Sequence, residues 1–174
     1  MKIKNFNKRL ENLKSERSSF INQWMELSDY FIPNRGRWLV ADRNKGRKRT
    51  RKLNTITPTQ SAITLGSGML AGITSPSRPW FQLECSDPTL NEYGPVKNWL
   101  HDVQSMMYKV FAVSDIYTKL HQMYTELGTF GTAAIGVFPN FDNVILPRQY
   151  TIGSYYISNG PDGQIGRASC RERV

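Results

Sequence analysis

The stretch Ser114-Asp-Ile-Tyr-Thr-Lys-Leu-His-Gln-Met-Tyr-Thr-Glu-Leu-Gly-Thr-Phe-Gly-Thr-Ala-Ala-Ile-Gly-Val-Phe138 contains a change of period. Ile116, Leu120, Met123, Tyr124 and Leu127 recur at helical steps, with Ser114-Asp115 as the expected cap and Gly128 as the expected stop. From Thr132 onward the pattern shortens into β-type runs at 133–138, 143–146 and 151–158. Upstream of this switch the periodic segments are helical. The fold class expected is therefore α+β, amphipathic helices followed by a small antiparallel sheet.

Working back from the switch, Gly94-Pro95 opens a helix whose inner face is expected to carry Trp99, Leu100, Val103, Met106, Met107 and Val110. Trp80-Phe-Gln-Leu-Glu84 is short and aromatic, which favours a strand. Before it, Ser75-Pro-Ser-Arg-Pro79 forces a stiff, extended turn. A further helix starts at Thr57-Pro58-Thr59-Gln60, where Thr57 can cap, Pro58 suits the first turn and Gln60 completes a capping box. Gly66, Gly68 and Gly72 lie along this helix. Glycines weaken a helix, so they point to close backbone packing. At the front of the chain Phe6, Leu10, Leu13, Phe20, Ile21, Trp24, Leu27 and Phe31 form one apolar stripe, which Pro33 ends.

The net charge of +9 is concentrated. Residues 35–52 hold Arg35, Arg37, Arg43, Lys45, Arg47, Lys48, Arg49, Arg51 and Lys52 against Asp42 alone, a local balance of +8. These cations, interspersed with Asn44 and Gly46, suit phosphate contacts that position a nucleic acid without reading it. A solvated arginine-rich loop is the equally weighted alternative. Trp38 alone is thin support for base stacking, and no helix-turn-helix, finger or zipper pattern occurs.

An apolar content of 39% and four tryptophans argue for a folded domain. No apolar run is long enough to cross a bilayer, and the basic N-terminus lacks the apolar core of a signal peptide. Cys85 and Cys170 give neither a disulfide framework nor a metal-ligand spacing, which fits synthesis in a reducing cytosol. His101 and His121 stand on different helices without ligand-spaced partners. Gly66 to Gly72 lacks the Gly-Lys-Ser/Thr of a phosphate loop. No cofactor and no catalytic or metal-binding residue is expected, and the chain reads as a non-enzyme. In Ser77-Arg78-Pro79-Trp80-Phe81, the aromatics read as local core. Arg78 is a candidate subunit contact, pairing with a neighbour's carboxylate or ring.

The last residues, Ile165-Gly-Arg-Ala-Ser-Cys-Arg-Glu-Arg-Val174, follow no period and back-translate in frame to a common sequencing-adaptor sequence. The expectation is a natural frame interrupted near Gly163 or Gln164. On that reading the strand that should return after the Asn159-Gly-Pro-Asp-Gly163 turn signal is missing. The organisation expected is thus an N-terminal helix at 1–33, a basic loop at 34–56, an α+β region at 57–163 and a non-native tail at 164–174.

Four stretches in this order resemble the portal, or head-to-tail connector, protein of short-tailed bacteriophages. They are the first helix ending Tyr30-Phe-Ile-Pro-Asn-Arg-Gly-Arg37, the run Leu65 to Phe81, Leu127-Gly-Thr-Phe-Gly-Thr-Ala-Ala134, and the β-rich run to Gly163. The resemblance implies a wing-region fragment of a ring subunit, usually one of twelve copies, at the portal vertex of the virion. Double-stranded DNA would pass through that ring in packaging and ejection. The other implied partners are the packaging terminase, the capsid and tail adaptors, with no membrane and with assembly in the bacterial cytoplasm. In a ring, the wing lies outside the channel. Residues 35–52 are then as readily matched to an acidic neighbouring surface as to DNA. The alternative is a small non-enzymatic nucleic-acid-binding protein using residues 43–52.

If residues 35–52 bind DNA, neutralising these cations flattens the slope of log affinity against log salt by about 0.9 for each phosphate left unpaired. An unchanged slope removes DNA from the role of this segment.

Overall fold

The computed structural model describes residues 3–33, 53–159 and 165–170. The described residues form α1 (Ile3–Phe31), α2 (Thr57–Ile73), α3 (Pro88–Glu92), α4 (Gly94–Val113) and α5 (Ile116–Phe130), then β1 (Ala134–Asn140), β2 (Val144–Tyr150), β3 (Tyr155–Asn159) and β4 (Ile165–Cys170). The α+β class holds. The strands form two separate antiparallel pairs, β1–β2 and β3–β4, rather than one sheet. β4 is the returning strand whose absence the sequence suggests. It pairs with β3 from Tyr155↔Cys170 to Asn159↔Ile165, with a register shift at Ser158/Asn159.

α2 and α5 form the central packing unit, and each is notched for the other. At Gly66 an added Cβ would overlap Thr125 Oγ1 and lie 3.2 Å from the Thr125 backbone nitrogen. At Gly128 it would overlap Leu65 Cδ2. At Gly66 the Thr125 backbone itself limits the approach, whereas at Gly128 the contact is with the end of the Leu65 side chain. Polar ties flank the notches: Ser67 Oγ lies 3.0 Å from His121 Nε2, and Thr74 Oγ1 lies 3.2 Å from the buried Tyr124 hydroxyl. Ala62, Ile116, Tyr124 and Phe130 supply the apolar core, extended by Ile152 and Tyr155 beneath α1. Arg17 joins α1 to that region. Its Nη1 donates to Gly153 O at 2.7 Å, and its guanidinium carbon stands 4.1 Å from the Tyr156 ring centre.

Several sequence expectations move. Gly128 does not stop α5, because it is a packing notch. The helix runs to Phe130 and closes on Gly131, whose φ of +76° lets its N–H reach Leu127 O at 2.9 Å. Asp115 makes no side-chain cap there. Thr57 lies inside α2 rather than capping it, and Thr55 Oγ1 accepts from the Thr57 N–H at 3.1 Å instead. Gly68 and Gly72 meet nothing within 4 Å, so only Gly66 bears out the packing reading. On α4, Trp99 and Met106 face outward at 62% and 56% exposure, and Tyr108 and Phe111 take the inner positions. Trp80 to Glu84 is extended but belongs to no strand pair.

The notch geometry predicts opposite signs for chemically identical changes. Gly66→Ala gains about 1 kcal/mol of helix propensity. Against Thr125 it loses roughly 1–3 kcal/mol to overpacking, for a net destabilisation. Gly68→Ala, facing open space, stabilises by about 1 kcal/mol. Chemical denaturation midpoints of the two variants check this directly.

Candidate functional site

Of the sequence-derived candidates, residues 35–52 lie outside the described residues. Arg78 lies within them and is exposed. Its Nη2 donates to Ala71 O and Gly72 O, both at 3.2 Å, so it caps the carbonyl end of α2 with charge of the right sign for the helix dipole. The turn that carries it is stiffened by Pro76 and Pro79 and by a 2.9 Å contact between the Ser75 and Ser77 hydroxyls. No contact from Arg78 to another charged residue occurs among the described residues.

After this turn the aromatics enter a local cluster, as expected. Trp80 stacks on Phe111 at 6.0 Å and meets Phe81 edge-on at 4.8 Å, and Phe81 lies 4.6 Å from Tyr108. The Tyr108 hydroxyl anchors the backbone of this segment. It accepts from the N–H groups of Trp80 (2.9 Å) and Phe81 (3.1 Å) and donates to Phe81 O (3.0 Å). Asn91 does the same further on, accepting from the Cys85 N–H at 2.7 Å and donating to Cys85 O at 3.2 Å. Between these clamps, Gln82, Leu83 and Glu84 have no backbone hydrogen-bond partner among the described residues. They border a groove of about 720 Å³, walled by Trp80, Phe81, Leu83 and Leu100 and by Lys97 and His101 of α4. At its rim, α3 begins on Asp87, whose carboxylate accepts from the hydroxyl (2.7 Å) and N–H (2.9 Å) of Thr89. These bonds, the hydroxyl first, hold its pKa below the ordinary value.

A second incomplete element is the β1–β2 hairpin. Its register runs from Ala134↔Tyr150 to Asn140↔Val144, and no third strand pairs with it among the described residues. Phe138 and Leu146 are opposite each other and substantially exposed, and Phe141 at the tip is fully exposed at 108%. Val144 follows with φ of +65° and 61% exposure, while the Ile145 N–H reaches Asn143 O at 2.7 Å. That is a γ-turn of the rarer hand, and a β-branched residue there is strained by roughly 1–3 kcal/mol.

Ser67 and His121 touch, but no carboxylate orients the ring's other nitrogen among the described residues, so the pair serves as an interhelical tie. No group of three or more metal-ligating side chains occurs among the described residues, and no described helix is long and apolar enough to cross a membrane. Neither the Tyr108 and Asn91 clamps nor the strained tip was found from the sequence. The pair Asp87-Pro88 was the one available signal for α3.

The model of the family described as bacteriophage head to tail connecting protein matches residues 4–171, and the chain belongs to that family. It is 45% identical over 158 residues to the portal protein of Salmonella phage epsilon15, covering 91% of this chain and 28% of that protein. It is 45% identical over 153 residues to the "Probable portal protein" of Bordetella phage BPP-1, covering 88% of this chain and 28% of the relative. The chain therefore spans less than a third of the length of the curated relatives it matches.

The clamp makes a ranked prediction. Tyr108→Phe leaves two N–H groups and one carbonyl without their partner and lowers stability by about 1–3 kcal/mol. Arg78→Ala, at an exposed helix end, lowers it by no more than about 1 kcal/mol. A reversed order in denaturant titrations would contradict the assigned roles.

Proposed function

We propose that this chain is the N-terminal part of a structural subunit of a phage portal ring, the head–tail connector through which double-stranded DNA is packaged and ejected. The observation that carries the reading is 45% identity across about nine-tenths of the chain to the portal protein of Salmonella phage epsilon15. The subunit's work is to form contacts, without catalysis and without a cofactor. Its partners are further copies of itself, the packaging terminase, the capsid and tail adaptors, at the portal vertex of the virion after assembly in the host cytoplasm. Arg35, Arg37, Arg43, Lys45, Arg47, Lys48, Arg49, Arg51 and Lys52 offer an electropositive contact for DNA or for an acidic neighbouring surface. Arg78, held by α2, retains exposed N–H groups for a neighbour's carboxylate. The comparisons offer nothing in favour of a free-standing nucleic-acid-binding protein.

A chimera tests the reading. This chain replaces the matching stretch of the epsilon15 portal protein, and the product is purified and imaged by negative-stain electron microscopy. Closed rings are expected. A folded chimera that stays monomeric under conditions where the unaltered epsilon15 protein forms rings would overturn the proposal.

A further inference from the structure

The hairpin tip and the groove are the two least satisfied features of the described surface, and each supplies what the other lacks. The groove offers extended backbone at Gln82 to Glu84 with free N–H and C=O groups, beside a wall where Trp80, Phe81, Leu83 and Leu100 meet polar side chains. The hairpin offers the outer edge of β1, which no third strand pairs among the described residues, and a tip bearing Phe141 and Val144. The hairpin does not fill its own groove, because no residue of β1, β2 or their turn lines it. Charge agrees with a match between copies. The tip carries Asp142 and the α4 wall carries Lys97.

We propose that the β1–β2 hairpin of one copy docks in the groove beside Gln82 to Glu84 of a second copy, with Phe141 against Leu83 and Leu100 and Asp142 against Lys97. The extended segment gains a strand neighbour, the mode by which a peptide adds to an open β edge. The strain at Val144 then presents two apolar side chains to a partner. The contact is head-to-tail: the donating and receiving surfaces differ, so each copy keeps one of each free. Such an interface propagates, and it closes into a ring if the rotation between copies permits. Only that closure rests on the portal-ring reading; the pairing is a property of this chain.

Complementation between two variants of this chain decides the matter. Phe141→Ser with Val144→Gly removes the knob at exposed positions and relieves the positive φ. Leu83→Asp blocks the groove. Circular dichroism and melting confirm that both variants fold. In sedimentation velocity the unaltered chain is expected to self-associate, and each variant alone to associate about tenfold or more weakly. An equal mixture should form a 1:1 heterodimer, since each variant keeps the surface the other lacks. A charge exchange fixes the register: Lys97→Glu and Asp142→Lys each weaken association, and both together in one chain restore it. A monomeric parent chain, self-association untouched by either variant, or a mixture that stays monomeric would each overturn the proposal. Rings from the chimera without pairing here would sink the pairing alone. Pairing here without rings from the chimera would sink the ring alone.

Discussion

The close approach of α2 to α5 is the contact on which the other elements depend. Gly66 makes room for Thr125, and Gly128 makes room for Leu65. The hydrogen bond between the Thr74 and Tyr124 hydroxyls then fixes where the chain leaves α2, and with it the origin of the Ser75–Phe81 turn. At the other end, α5 ends on a left-handed glycine that turns the chain into the first hairpin. α1 lies over both helices and reaches the second hairpin through Arg17. Backbone proximity between two helices thus sets the positions of the groove and of both strand pairs.

The buried interior is small. Among the described residues the buried hydrophobic side chains are few, while residues such as Trp99, Phe141 and Ile56 stand in solvent. A domain of this size ordinarily covers more of its apolar surface. Among the described residues the two hairpins are each two-stranded, a kind that is marginal in water alone, and each is backed by a helix, β1–β2 by α5 and β3 by α1. A low share of self-satisfied surface is the physical counterpart of belonging to a family whose relatives are more than three times as long as the matched stretch.

Elements with a repeating apolar pattern were legible in the sequence. α1, α2, α4 and α5 carry one, and so do the runs that became β1 to β3. α3 was not legible, because five residues are too few to show a period. β4 was missed because backbone pairing needs no apolar alternation, and Ile165-Gly-Arg-Ala-Ser-Cys170 has none. Trp80 to Glu84 has strand propensity, yet strand formation needs a neighbour that the described residues do not provide. Gly128 and Gly131 are indistinguishable as letters; only the approach of Leu65 and the sign of φ assign one to packing and the other to termination. At the candidate site, the stiff turn that carries Arg78 was legible, since prolines act locally. The clamps were not: Tyr108 acts on backbone 27 and 28 residues away, and side-chain-to-backbone bonds leave no pattern in sequence.

The two clamps also determine how the extended segment bears mechanical load. Residues 82–84 are fastened at both ends, to α4 through Tyr108 and to α3 through Asn91. A pull on the middle of this segment is shared between anchors on two helices instead of peeling bonds one at a time. The anchor at α4 engages two consecutive N–H groups and a carbonyl through one hydroxyl, so those bonds must yield together. The segment is therefore open to a partner along its length and stiff at its ends, like a string fixed at two pegs.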